Sequence, residues 1–184
     1  MKKQSTFAYI LRLALTLLAI TGLVALALAG VNAITADRIA ALQAEKTQTA
    51  IKEVLPGGYD REITDFADDT GLVQKIYASE TGYAVEVTPM GFDNTITMMV
   101  GVDTEGKVLG ISVISHTETK GLGEVAAAQN AKGEAFRGQF VGKDGQLAVT
   151  KDGGTIEAIT GATITSRAVT AGVNAALKCV AALG

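Results

Sequence analysis

The run LALTLLAITGLVALALAGV, from Leu13 to Val31, contains no charged residue. It constrains the chain more than any other stretch. At about 1.5 Å rise per residue a helix of this length crosses roughly the hydrocarbon core of a bilayer. Lys2, Lys3 and Arg12 precede it, and positive charge on that side predicts a cytoplasmic N-terminus with the remainder outside the membrane. ALALAGVNA also carries the A-x-A pattern of a cleaved signal sequence. The run exceeds the roughly 7–15 apolar residues of a signal peptide, which favours a retained single-pass anchor. Both readings export the same domain. The expected organisation is residues 1–12 cytoplasmic, 13–31 transmembrane helix, 32–58 juxtamembrane helix and 59–184 exported domain.

Beyond the anchor roughly 150 residues remain, enough for one domain with its own core. The formal charge of the whole chain is -3, and no basic patch or arm is visible, so nucleic acid is not an expected partner. Cys179 is the single cysteine and His116 the single histidine. That excludes an intrachain disulfide framework, a cysteine-ligated cluster and the usual Cys/His zinc sites, and no metal ligand is expected. Glycine is frequent at 21 residues, proline is scarce at 2 and tryptophan is absent. Such a composition suits tight turns and close backbone approach to a ligand.

Helical spacing of Ile34, Ile39, Leu42, Ile51, Val54 and Leu55 predicts a helix after the span, ended by Pro56-Gly57-Gly58. YDREITDFADDTG is a poorly patterned connection. The middle predicts an antiparallel sheet. LVQKIYASE is a weak strand, and GYAVEV alternates. Ile96, Met98, Val100 and Val102 share one face of the next strand, and Leu109, Ile111 and Val113 one face of another, with DTEGK as the hairpin turn. Met98-Met99 reads as sheet packing. QLAVT and TIEAIT are possible short strands, and GEVAAAQNAKGEAFRGQF is partly helical. The last element is an amphipathic helix whose stripe runs through Val169, Val173, Ala176, Leu177, Val180 and Leu183, with Cys179 beside it as a core residue. The fold class is α+β: an N-terminal transmembrane helix, then one exported domain with a mainly antiparallel sheet and flanking helices.

TIEAITGATITSRAV, Thr155 to Val169, packs five hydroxyls around Gly161-Ala162 just before that helix. Thr165 or Ser166 can be a plain N-cap, and threonines also suit a strand edge. Neither explains Thr160 and Thr163 together. A turn entering a helix offers free N–H groups and the positive end of the dipole, an arrangement that suits phosphate. A threonine there can be the acceptor of a phosphoester. No GxxxxGK[ST] sequence accompanies it, so another enzyme would make such a bond.

EAITGATITSRAV resembles the flavinylation motif of the FMN-binding domains of RnfG and NqrC subunits. That pattern is an acidic residue, two variable residues, Ser or Thr, then Gly-Ala-Thr. Glu157, Thr160, Gly161, Ala162 and Thr163 match it in order, with Glu157 where Asp is common. HTETKGLGEVA, His116 to Ala126, resembles the family's H-x-E-T-P-G-L-G loop, with Lys120 where proline is usual, and GYAVEV resembles its GYGG strand start. The short length and single anchor favour RnfG over NqrC. The resemblance implies FMN held covalently as a phosphoester on Thr163 by a flavin transferase. It implies further cofactor contacts from Thr160, Gly161, Ala162, Thr165, Glu118, Thr119, Leu122 and Gly123. It implies no catalytic residue: the chain would be a redox subunit that relays electrons, anchored beside the other Rnf subunits. That membrane complex couples electron transfer between ferredoxin and NAD⁺ to Na⁺ or H⁺ translocation. No GxGxxG and no iron–sulfur cysteines are present, so NAD and ferredoxin belong to partners. A stand-alone extracytoplasmic flavoprotein and a non-redox, anchored phosphate-binding module remain the alternatives.

Overall fold

The computed structural model describes residues 6–183, so Lys2 and Lys3, on which the expected orientation leans, lie outside the described residues. The chain divides into two units, one up to Glu45 and one from Lys46. The first is helical throughout its described length and belongs to α1, Thr6–Val54. From Phe7 this helix is long and apolar enough to cross a membrane, with a mean hydropathy of 2.4 over its most apolar window. Leu17, Leu23, Leu26 and Ile34 stand exposed on it. One uninterrupted helix thus covers both the apolar run and the amphipathic segment after it.

The second unit is built on a five-stranded antiparallel meander, in the order β1 (Arg61–Ile63), β2 (Val73–Ser79), β3 (Gly82–Val87), β4 (Thr97–Asp103) and β5 (Val108–Ser115). Alternation sends side chains to two faces. Ile76, Val85, Val87, Met98, Val100 and Val102 enter the main core, where α3 (Thr163–Ala181) contributes Val169, Val173, Ala176, Leu177 and Val180. Tyr77, Ala84 and Met99 point the other way and pack against Ala50, Ile51, Val54 and Leu55. Met98 and Met99 therefore serve opposite cores, as packing residues. Both faces are covered, so β4 has five consecutive buried residues and loses the apolar–polar rhythm of a half-exposed strand.

Three local features differ from the sequence expectation. Strand β1 lies inside the expected connection, pairing Ile63 with Ile76; three residues are too short to display a period. A register shift at Gly101/Val102 pairs Val102 with Val108 while Gly101 pairs with Gly110. This bulge turns Leu109 outward, to 38% exposure, and puts Val108 into the core beside Ile111. QLAVT and TIEAIT form no strands and meet only in a single parallel bridge, Val149 to Ile156. The stretch after Gly123 is a 3-10 turn, Gly123–Ala126, then α2, Ala131–Gly138, capped by Asn130 Oδ1, which accepts from the N–H groups of Lys132 and Gly133. Phe136 and Phe140 meet edge to face, with centroids 5.6 Å apart, and close that end of the core.

Candidate functional site

Four segments converge on a cavity of about 340 Å³. The turn before α3 supplies Gly161, Ala162, Thr163, Ile164 and Thr165; the loop after β5 supplies Glu118, Thr119, Leu122 and Gly123; Phe92 comes from the β3–β4 connection and Lys151 from a 3-10 turn, Thr150–Asp152. The size falls within the ~300–1,000 Å³ typical of small-molecule sites.

Local chemistry dictates the turn. Gly161 has φ of +78°, a left-handed conformation that costs glycine little, and a Cβ there would lie 3.0 Å from Leu122 Cδ2. The Ala162 N–H donates to Ile159 O at 2.9 Å, and α3 begins at Thr163. Ala162 is thus the capping position, and no side chain caps the helix. This corrects the N-cap expectation for Thr165 and Ser166: the helix starts earlier, so both hydroxyls lie within its first turn. Ser166 Oγ donates to Ala162 O at 2.9 Å and accepts from Ile159 N at 3.0 Å, bracing the turn from below. The first N–H groups of α3 are left without carbonyl partners inside the helix, as at any helix start.

Thr165 reaches inward. Its Oγ1 donates to Glu118 Oε2 at 2.5 Å, and Glu118 Oε1 accepts from the N–H groups of Phe92 at 2.8 Å and Asp93 at 3.4 Å. Glu118 is only 6% exposed and Thr165 1%. One buried carboxylate thereby joins the β5 loop, the Phe92 turn and the first turn of α3. A Cβ on Gly123 or Gly91 would collide with that carboxylate, which is why both loops need glycine there. Lys120, in place of the usual proline, does not leave the loop open. Leu122 N and Glu124 N both donate to Thr119 O at 3.2 Å, and Gly121 N donates to Glu124 Oε2 at 3.2 Å.

At the cavity mouth Thr163 is half-buried, and its Oγ1 accepts from Lys151 Nζ at 3.1 Å. The neighbouring Asp152 takes Arg167 of α3 in a two-pronged ion pair, 2.7 Å from Nε and 2.6 Å from Nη2. The Arg167 guanidinium holds the Asp152 carboxyl below its ordinary range. Phe92, Leu122 and Ile164 present exposed apolar surface around the opening, and Thr119 is exposed beside them.

Eight of the nine expected contact residues line this cavity. Thr160 does not; it lines a separate surface depression with Glu157, Gln139 and Lys132. Glu157 is held there by its backbone, its N–H donating to Gln139 Oε1 at 2.7 Å. His116 is outside the cavity lining, and its Nδ1 is buried without a partner among the described residues. Cys179 is buried, with Sγ 3.5 Å from Ala67 O and its thiol pushed up by burial. Among the described residues no cluster of His, Cys, Asp or Glu could hold a metal. Sequence reasoning missed Phe92, Lys151 and Ile164. Ile164 follows the expected threonine directly, but Phe92 and Lys151 sit in ordinary Gly/Asp turns that carry no signal without the fold.

Residues 91–178, which include every residue lining the cavity, match the FMN-binding domain family. The chain is 34% identical over 194 residues to the RnfG subunit of the ion-translocating oxidoreductase complex of Pseudomonas aeruginosa, covering 96% of this chain and 89% of that one. It is 31% identical over 201 residues to the corresponding subunit of the Na⁺-translocating ferredoxin:NAD⁺ oxidoreductase complex of Acetobacterium woodii, covering 96% and 94%. Over a shorter segment, 56% of this chain and 58% of the relative, it is 42% identical to the same subunit of the proton-translocating ferredoxin:NAD⁺ oxidoreductase complex of Clostridium ljungdahlii. With relatives above 30% identity along nearly its whole length, the chain belongs to the RnfG family of ion-translocating oxidoreductase complex subunits.

Proposed function

We propose that this chain is the electron-transfer subunit of a membrane-bound ferredoxin:NAD⁺ oxidoreductase of the Rnf type, carrying FMN as a phosphoester on Thr163. The domain lies on the extracytoplasmic side, anchored by α1 beside the other subunits of the complex, and a flavin transferase installs the cofactor. One observation carries the reading: the Thr163 hydroxyl stands at the first residue of α3, at the mouth of a cavity with an apolar rim. The donor set fits the group. N–H groups at the helix start and the Lys151 ammonium suit a phosphate, while Phe92, Leu122 and Ile164 suit a flat aromatic ring system.

Bound there, FMN supplies the electron-carrying chemistry; the protein holds and tunes it. Glu118 and Thr165 keep the two walls of the cavity in register through their buried hydrogen bond. Gly161 leaves the approach to Thr163 open on the left-handed turn. A covalent link on the outer face prevents loss of the cofactor to the surroundings. Family relatives are named for both Na⁺ and proton translocation, and the pumping path resides in partner subunits. The test is a denaturing gel of membranes from cells with an active flavin transferase. Flavin fluorescence should stay with the denatured chain and vanish in Thr163→Ala. A colourless band from the unsubstituted chain would count against the reading, and fluorescence that leaves on denaturation would favour a reversible phosphate-binding module.

A further inference from the structure

We propose that Lys151 is the charge-neutralising ligand of the phosphoester at Thr163, an assignment that rests on the reading just given. Its ammonium already donates to Thr163 Oγ1 at 3.1 Å, the atom that becomes the ester oxygen. A phosphodiester carries one negative charge, and Lys151 supplies one positive charge. The nearest alternative is Arg167, one helical turn beyond Thr163 on the same face of α3. Its guanidinium is occupied by Asp152 in the two-pronged pair, which leaves Lys151 as the cation whose hydrogen bond goes to the acceptor threonine.

The turn that presents Lys151 is built to hold it there. Thr150 N donates to Ile156 O at 2.9 Å and Ile156 N to Ala148 O at 3.1 Å, tying the turn to the strand-like segment that leads into the Gly161 turn. Gly153 ends it at φ of +83°, and a Cβ on Gly154 would run into the Ala148 carbonyl. The Asp152–Arg167 pair then fixes the turn to α3. Lys151 and Asp152 are adjacent in sequence, as Thr163 and Arg167 are adjacent on the helix surface, so the ion pair brings the ammonium to Thr163. A compact ammonium on a flexible stem can follow the phosphate's oxygens once the ester forms.

The group transfer balances without a change of oxidation state. Thr163 Oγ1 forms a bond to phosphorus of a flavin dinucleotide donor while the P–O bond of its anhydride breaks. The nucleoside monophosphate leaves with the bridging oxygen, and the hydroxyl proton passes to the transferase or to solvent. Lys151 offsets the charge on the phosphate during this step and in the product.

The experiment uses the full chain in detergent with an active transferase and the flavin dinucleotide, followed by intact mass against time. Lys151→Met should lower the kcat of loading about tenfold or more, the loss of one hydrogen bond to a charged group, with the transferase's KM for the chain unchanged and circular dichroism unchanged. Lys151→Arg should restore most of the rate. Lys151→Met loading at the unsubstituted rate overturns the assignment. So does a higher KM at unchanged kcat, which would make Lys151 a docking contact for the transferase, and so does Lys151→Arg failing as badly as Lys151→Met. An unsubstituted chain that takes up no flavin overturns the functional reading itself, and the assignment with it; loading of that chain with Lys151→Met unimpaired overturns the assignment alone.

Discussion

The buried contact between Glu118 and Thr165 should be energetically coupled, and a double-mutant cycle measures it. Glu118 accepts hydrogen bonds from the Thr165 hydroxyl and the Phe92 N–H, with a longer one from Asp93, and neither Glu118 nor Thr165 has access to water in which to replace the bond between them. Leaving a buried partner unsatisfied costs about 1–3 kcal/mol. Glu118→Gln keeps the shape but turns an N–H₂ group toward a donor, for an expected loss of about 2 kcal/mol. Thr165→Val removes the donor and leaves one carboxylate oxygen unpaired, for a similar loss of about 2 kcal/mol. In the double variant neither mismatch remains at that contact, so the combined loss should fall short of the sum by about 1–2 kcal/mol. The assay is urea unfolding in detergent micelles, followed by near-ultraviolet circular dichroism of the tyrosines, since the chain has no tryptophan. Additivity within about 0.5 kcal/mol would refute the claim that this bond joins the two walls of the cavity.

The close approach of Val54 to β4 predicts that Gly101→Ala destabilises by about 1–3 kcal/mol, because the new Cβ meets backbone that cannot retreat. Gly110→Ala, where the nearest Val54 atoms are 3.9 Å away, should change the same melt by less, and equal effects would count against the packing argument. Burial pushes the Asp68 carboxyl up, but the Thr70 hydroxyl and the N–H groups of Val73, Thr70 and Leu72 outweigh it and hold the pKa below 3.8. The ionised form is thus favoured in the fold, so its contribution is present above the unfolded value and lost as pH falls through the folded one. Asp68→Asn should therefore be less stable than the parent at pH 7, with the gap closing toward pH 3; a constant gap would refute the linkage. Cys179 is buried and its thiol is pushed up by that burial, so iodoacetamide at pH 8 should label it only after unfolding, and rapid labelling of the folded chain would contradict its place in the core.

Much of this architecture was legible in the residues, and the exceptions have physical causes. The apolar run, the β3–β4–β5 meander and the last helix announced themselves by period, since each has a long patterned stretch with turn residues at its ends. Strand β1 is too short to show a period, and the bulge at Val108–Gly110 reverses the inside–outside order of β5 through one extra residue that no alternation rule reveals. The hydroxyl turn was recognisable, yet which hydroxyl capped what was not. Thr165 turned out to be bound to Glu118, 47 positions earlier, and Ser166 to brace the turn beneath it. Lys151 became visible only when the Asp152–Arg167 pair folded its turn against α3. Long-range pairing of this kind leaves no local trace.

The central claim is that Thr163 carries the flavin. Mass spectrometry of the peptide containing Thr163, taken from native membranes, tests it most directly. The expected result is a mass increment of FMN less one water, located by fragmentation on Thr163 and absent from Thr163→Ala. An unmodified peptide from membranes whose other flavinylated proteins are fully loaded, or the same increment on Thr160 or Thr165 instead, would contradict it.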